Sequence, residues 1–384
     1  MSARHDAIRD QPGRERLFVS TSPGLEPALL DELREWVRSA RGVRGGAEVE
    51  APPGTHQTLN LHLRTATRVL LRVASFEAGD FRALEMGLAR VRLDPFRGPR
   101  PVRIEAVAHR SRLSHSGRLR ETAAKAWELP VDLANSEDPL GDETLVQLRL
   151  EDDRCTVSVD TSGEILHRRG YRQEVSRAPL RETLGAGILR LATYRGDEPL
   201  WDPMCGSGTL AIEAAWIALR RAPGGDRSFA FQRWSGYDAA AFEAARAAAR
   251  RRELPAPPAA IHASDINAGA LGTARRNARR AGVLEHLQIR RADVTHPSEL
   301  PPEPTGLLVT NPPYGKRVGD AGDLAPLYVA LGALLRERLP RWRAAVLVPD
   351  LRLERALSLE VEDAFELLNG GIRCHLLVTR AHAS

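Results

Sequence analysis

The stretch LWDPMCGSGTLAIEAA, residues 200 to 215, constrains the fold of this chain more than any other. An apolar lead-in ends at Asp202, a turn carries Gly206 and Gly208, and a small-residue helical pattern follows. This spacing predicts a β-strand that hands the chain to a helix beside a ligand, because glycine lets backbone approach a bound molecule closely. The stretch lies just past the middle of 384 residues, so a sizeable domain has to precede it. Such a length predicts roughly two or three domains.

Around and beyond the stretch, strand-like segments at 199–202, 260–264, 287–291, 306–310, 343–348 and 373–379 alternate with helical ones at 209–221, 238–251, 267–281 and 324–338. The alternation predicts a mostly parallel sheet covered on both faces, with the last strand antiparallel at or near an edge. Residues 222–237 and 253–259 form an irregular insertion around the second helix. Upstream, the pattern predicts a strand at 17–20, a helix over 25–40 and a loop with one short strand over 41–54. From 58 the chain alternates, with Leu59, Leu61 and Leu63 on one side, and its continuation to 76 reads as helix or strand. A helix over 80–93 capped by Asp80, a strand from 102, a helix over 118–127 and paired strands at 144–150 and 154–160 complete an α+β region. No catalytic constellation is visible in it.

Lys and Arg outnumber Asp and Glu by 55 to 50, a net charge of +5 that permits a nucleic-acid partner without establishing one. Basic residues gather at Arg110, Arg112, His115, Arg118 and Arg120, and again at Arg168, Arg169, Arg172 and Arg177 around Tyr171. Arginines interleaved with an aromatic ring suit RNA backbone contact, and they suit a solvated linker equally well. The three cysteines, Cys155, Cys205 and Cys374, form no CxxC pair, which argues against a disulfide scaffold and a metal site. No apolar run reaches the ~18 residues of a membrane span. The first 16 residues lack the apolar core of a signal peptide and read as a flexible tail, so the expected location is cytoplasmic.

Four places carry chemistry. The single GxG at 206–208 is neither a full dinucleotide fingerprint nor a P-loop, which excludes triphosphate cleavage and leaves a small-molecule site or a tight turn. Asp265 closes the next strand, where it can bind a ribose diol or join Asn267 in a helix cap. Asp293 ends the following strand, again as ligand contact or cap. Asn311, Pro312, Pro313, Tyr314 and Gly315 follow an apolar strand, and the two prolines fix an extended backbone. There the Asn311 side-chain oxygen and the Pro312 carbonyl can accept hydrogens from an exocyclic amine, while Tyr314 stacks on its base. Transfer to an amino nitrogen needs orientation and desolvation more than a strong base. Cys205 has no histidine partner in the pattern, so it reads as part of the turn and not as a nucleophile.

DPMCGSGTLAIEAA and NPPYGKR resemble class I S-adenosylmethionine-dependent methyltransferases of the amino-methylating kind, the bacterial RNA guanine-N2 methyltransferases especially. RLFVSTSPGLEPALLDEL, SRLSHSGRLRETAAKAW, HRRGYRQEVSRAPLRETLGAGIL and ELLNGGIRCHLLVT extend the resemblance over about residues 17–380. They match the group in which a THUMP-containing region precedes the catalytic domain. The resemblance implies a Rossmann-like class I methyltransferase domain over 181–384, after a tail over 1–16. Before it would come a ferredoxin-like subdomain over 17–70 joined by part of 145–165, a THUMP RNA-binding domain over 71–160 and a basic linker over 161–180.

The resemblance also implies roles for residues. Arg181, Glu182, Asp202, Pro203, Cys205, Gly206, Ser207, Gly208 and Thr209 would shape the donor pocket, with Asp265 and Ile266 at the ribose side, Asp293 at the adenine amino group, and Asn311 shared. Asn311, Pro312 and Tyr314 would be catalytic, with Asn369 and Gly370 in a late turn nearby. Arg110, Arg112, His115, Arg118, Arg168, Arg169, Arg172, Lys316 and Arg317 would meet RNA. The implied reaction takes S-adenosyl-L-methionine to S-adenosyl-L-homocysteine at guanosine N2 without a metal, in a monomer that binds structured RNA and no membrane. Ribosomal 23S RNA comes before tRNA as substrate. An adenine-N6 methyltransferase and an RNA-binding protein with an inactive methylase fold are the alternatives.

Overall fold

In residues Glu15–Thr21 the buried side chains are Leu17, Val19 and Thr21, the period of two that makes a strand with one covered face, β1. A computed structural model describes residues 13–97, 101–129, 143–173, 180–314 and 324–381. After β1 come α1 (Glu26–Leu33), β2 (Ala40–Val43), β3 (Gly46–Ala51), α2 (Thr55–His62), β4 (Ala66–Glu77), α3 (Phe81–Leu88) and α4 (Asp94–Arg97). They are followed by β5 (Val102–His109), α5 (Ser116–Ala126), β6 (Thr144–Glu151) and β7 (Arg154–Asp160). These strands form one sheet in the order β2-β3-β1-β4-β7-β6-β5. All neighbours run antiparallel except β5 and β6.

Two features of this half differ from the pattern read along the chain. Residues 41–54 hold a two-stranded hairpin turning at Gly45, whose φ is +82°. The leucines at 59, 61 and 63 belong to or follow a helix, α2, whose His56, Leu59, Asn60 and Leu61 are all buried. The helix is covered on more than one side, by β4 and by the insertion between α7 and β9, so its apolar residues do not form a single stripe. Strand β4 carries a structural consequence of its own. Leu70 and Leu71 pair with β1 on one side and β7 on the other, so the boundary expected between residues 70 and 71 falls inside a shared strand.

The second half contributes α6 (Glu182–Leu191), β8 (Leu200–Asp202), α7 (Thr209–Ala218), α8 (Ala239–Arg251), β9 (Ile261–Asp265), α9 (Ala268–Arg280) and β10 (Leu287–Arg291). Then follow β11 (Gly306–Thr310), α10 (Ala325–Ala333) with a π-helical turn over Leu334–Arg338, β12 (Trp342–Val348), α11 (Leu351–Leu357), β13 (Val361–Asn369) and β14 (Ile372–Thr379). The strand order is β10-β9-β8-β11-β12-β14-β13. The run from β10 to β12 is parallel, and β14 is antiparallel to both its neighbours. The edge strand β13 escaped the sequence pattern because most of its side chains are exposed and leave no apolar alternation to read. Both faces of the sheet are covered: Leu307 and Val309 of β11 enter one apolar core, and Leu308 enters the other.

The insertion between α7 and β9 is the clamp between the halves. Its Phe229, Phe231 and Phe242 are buried with Leu17, Val19 and Val69 of the first sheet and Leu59 of α2. Phe231 and Phe242 meet edge to face at 5.0 Å between ring centroids. In the other direction Leu25 joins the core of the second sheet, and the Gly224 amide donates to the Leu61 carbonyl at 2.9 Å. Burial of each large aromatic side chain stabilises the joint by ~1.5–3 kcal/mol. Among the described residues no helix is long and apolar enough to cross a membrane.

Candidate active site

The order of the second sheet reverses at β8, which has β9 on one side and β11 on the other. A crevice opens at the carboxyl ends of the strands at such a switch point. Asp202 ends β8 and is buried, with the Met204 amide donating to its carboxylate at 3.2 Å. Beyond it the Cys205 amide is tied to the Ser264 carbonyl at 2.9 Å, and Gly208 closes the turn onto the Cys205 carbonyl at 2.8 Å. Gly206 and Gly208 have φ of +54° and +86°, a region that disfavours side chains. A Cβ on Gly208 would lie 3.1 Å from the Ala274 Cβ, so this glycine lets α9 pack against the start of α7. A Cβ on Gly206 would meet nothing within 4 Å; this glycine borders open space.

Asp265 and Asn267 divide two tasks that the sequence left open. Asn267 caps α9, its side-chain oxygen accepting from the Gly269 and Ala270 amides at 2.9 and 3.2 Å. Asp265 braces the glycine turn, accepting from the Gly206 amide at 2.9 Å with one oxygen and from the Asn267 amide at 2.8 Å with the other. Ile266 beside it is 58% exposed, an apolar side chain presented at the strand end. Asp293 lies two residues past Arg291, which pairs in register with Asp265. One of its oxygens accepts from the Thr295 hydroxyl at 2.6 Å and the Thr295 amide at 2.9 Å. These hydrogen bonds hold the Asp293 carboxyl below the usual carboxylate range.

After β11 the chain enters Asn311, Pro312, Pro313 and Tyr314. Here the structure adds a relay. The Asn369 side-chain amide at the end of β13 donates to the Tyr314 oxygen at 2.9 Å, and the Tyr314 hydroxyl donates to Asn311 Oδ1 at 2.5 Å. The Tyr328 hydroxyl, from α10, donates to the Pro313 carbonyl at 3.3 Å. Burial pushes the Tyr314 phenol well above its usual range, so it stays protonated and a donor. Its ring is half-buried against the core of the second sheet, and in this arrangement it anchors Asn311. Tyr328 was not singled out by the sequence, and neither was Asn277 of α9, whose amide donates to the Ser207 carbonyl at 3.0 Å. Both lie in helices far along the chain from the loops they hold.

Three residues expected to face RNA or a linker's solvent are interior. Arg169 is buried, donating to the Leu166 carbonyl at 2.7 Å and to the Arg64 carbonyl, with Glu213 of α7 at 3.6 Å. The Tyr171 hydroxyl donates to Glu213 at 3.1 Å. Arg172 donates to the Leu180 carbonyl at 2.5 Å and the Thr209 hydroxyl at 2.7 Å, and lies 3.5 Å from Glu182. The segment packs between the two halves, where desolvated guanidinium groups survive because carbonyls and carboxylates surround them. Glu182, the first residue of α6, is pushed up by burial against the pull of Arg172. Arg181 precedes it as the helix N-cap.

The other basic residues remain at the surface. Arg110 pairs with Asp152 at 3.0 Å and Arg112 with Asp153 at 2.6 Å, which partly neutralises the patch. Arg118 lies over the Phe81 ring at 4.2 Å, His115 is exposed just before α5, and Arg168 pairs with Glu164 at 3.1 Å. Gly315, Lys316, Arg317 and Arg177 lie outside the described residues.

Residues 169–378 match the family described as the RMKL-like methyltransferase domain, UPF0020. The chain belongs to that family. Residues 16–70 match the RlmL ferredoxin-like domain. Ribosomal RNA large subunit methyltransferase K/L of Syntrophotalea carbinolica is 35% identical over 378 residues, covering 94% of this chain and 53% of that protein. The chain spans about half the length of the curated relatives it matches. A putative methyltransferase solved with SAH is 26% identical with a TM-score of 0.85, over 97% of this chain and 100% of that one. A possible methylase from Clostridium difficile 630 is 28% identical with a TM-score of 0.86, over 97% and 99%. The class I α/β architecture of this RMKL-like methyltransferase domain, with a ferredoxin-like domain ahead of it, agrees with the fold implied by its motifs.

In this RMKL-like domain Asp202 has an unusual titration. Burial, opposed by the Met204 amide and assisted by the Asp265 charge, pushes its carboxyl up to about 8. The unfolded chain releases that proton near pH 4. The folded chain therefore holds more protons between about pH 4 and 8, and this group's contribution to stability falls as pH rises through that window. Asp202→Asn is expected to flatten the fall in unfolding temperature between pH 5.5 and 8. Thermal unfolding across the range measures it, and an unchanged slope would show that Asp202 titrates normally.

Proposed function

We propose that this chain methylates the exocyclic N2 of a guanosine in structured RNA, with 23S ribosomal RNA as substrate and S-adenosylmethionine as donor. The observation that carries the reading is the presence of two loops at one switch point: a glycine turn braced by Asp265, and an Asn-Pro-Pro-Tyr loop whose asparagine is held by Tyr314. The residues fit the donor. Gly206 borders open space, Asp265 brings carboxylate oxygens for ribose hydroxyls, and Ile266 brings an apolar surface for an adenine face. Asp293 would take the adenine amino group. When bound, the donor supplies an electrophilic methyl group, and a related structure was solved with SAH.

The chain's own contribution is to hold the acceptor amine. Asn311 Oδ1 has two lone pairs, of which the Tyr314 hydroxyl uses one. The other, with the Pro312 carbonyl, would accept the two amino hydrogens and fix the direction of the nitrogen. Neither group is a strong base; orientation and exclusion of water do the work. The first domain, read as ferredoxin-like and THUMP-like, would grip the RNA, and unstacking the target base costs a few kcal/mol that these contacts offset. The name of the K/L relatives favours ribosomal RNA over tRNA. A cytoplasmic, monomeric enzyme follows from the same reading.

The test is nucleoside mass spectrometry after incubation of the purified chain with isotopically labelled donor and unmodified transcripts. Labelled N2-methylguanosine in 23S rRNA is the expected product. Label confined to tRNA would overturn the substrate, N6-methyladenosine would overturn the acceptor atom, and no label in any transcript would overturn the enzyme.

A further inference from the structure

We propose that the RNA held by this chain also runs through a second, arginine-lined groove on the first sheet, at the far end of α3 from Arg112 and Arg118; the proposal rests on the reading of the chain as an RNA methyltransferase. The groove has a volume of about 800 Å³, and its walls include Arg14, Arg72, Arg90, Arg92, Phe76 and Phe96. Its one acidic wall residue, Glu15, is turned away to the Gly54 amide at 2.7 Å and the His56 ring at 2.8 Å. Arg72 is held by Glu48, close to the Phe18 ring. Arg90 makes no ion pair among the described residues. Arg92 has Asp94 at 3.9 Å, with both side chains largely exposed. The positive charge of the groove is therefore offset less than that of the loop at 110–112, where each arginine has its aspartate.

The shape is built as well as the charge. A Cβ on Gly87 would lie 2.1 Å from the Phe76 ring, so this glycine lets the ring rest directly on α3 and keeps the wall low. The basic residues Arg112 and Arg118 stand at the other end of α3 from the groove. At the start of α3 the Arg112 guanidinium occupies the space a Gly79 Cβ would need, and Arg118 covers Phe81. At its end stand Arg90 and Arg92. The helix has eight residues, about 12 Å at ~1.5 Å per residue, which sets the scale of the separation between the two groups of arginines. Arginine forks matched to phosphates beside aromatic rings are the chemistry of a nucleic-acid track.

The experiment uses the full chain with unmodified, in vitro transcribed 23S rRNA as probe. Arg90→Ser combined with Arg92→Ser is compared with wild type and with Arg250→Ser plus Arg251→Ser, a charge-matched control on α8. We expect the groove variant to raise Kd about ten-fold at 0.15 M salt and to lower the slope of log K against log salt by ~1.4, or ~0.7 for each phosphate that is no longer neutralised. KM for RNA should rise with Kd, while kcat and the Kd for SAH stay unchanged. Replacing both arginines by lysine should restore most of the salt slope. Unchanged RNA affinity and slope would overturn the proposal and leave the groove to an acidic protein; so would an equal loss in the control pair. If wild type binds the transcript without methylating guanosine N2, the enzymatic reading fails, while the groove is still judged by the binding slope.

Discussion

Asn311→Ala is expected to lower kcat for methyl transfer by about 10²–10³-fold, the usual loss when one preorganised polar contact to a reacting group is removed. The donor's Kd should stay near its wild-type value, because the side chain that braces the glycine turn proposed to hold it is Asp265 and not Asn311. The effect belongs in kcat, since an amine that binds without being aimed still occupies the pocket. Tyr314→Phe offers a graded companion. It keeps the ring but deletes the hydroxyl that links Asn369 to Asn311. Steady-state kinetics with RNA and donor saturating decide the matter. Full activity in Asn311→Ala would remove the asparagine from the amine-holding role.

Arg169→Met is expected to cost about 3–5 kcal/mol of stability, the range for breaking a buried ion pair from one side. The substitution strands Glu213, which is fully buried on α7 and is shared by Arg169 and the Tyr171 hydroxyl. It also removes donors from the Leu166 and Arg64 carbonyls. Replacing both charges, Arg169→Met with Glu213→Leu, should recover much of the loss, since paired apolar substitutes avoid the stranded charge. Urea unfolding of Arg169→Met, Glu213→Leu and the double variant measures this coupling. A double-variant loss equal to the sum of the two single losses would mean that the pair is not coupled.

The glycine turn was legible because its requirement is local. A backbone that adopts positive φ at 206 and 208 favours glycine there, and at 208 the close approach of Ala274 leaves little room for a side chain. The asparagine-proline loop was legible for the same reason, since two prolines leave little conformational choice. Burial was not legible where tertiary packing set it. Arg169, Tyr171 and Arg172 have the composition of a solvent-facing RNA contact, yet they sit in the joint because Glu213 and Glu182 arrive from helices some 40 and 10 residues onward. Strand β13 shows the converse: its residues lie in a sheet, but its exposed face leaves no period to detect. Asn277 and Tyr328 act through single hydrogen bonds that no spacing announces.

The phenylalanine clamp has a last consequence. Phe229, Phe231 and Phe242 belong to the insertion of the second half, yet they complete the core of the first. Separating the halves would expose three large rings at once, so the joint resists opening as a hinge. The span between the first sheet and the crevice at β8 is then a fixed length. On the proposed function, a chain of this kind would measure its substrate: the nucleotide it reaches would be the one that the bound RNA presents at that distance, and any bending needed to bring it there would have to come from the RNA.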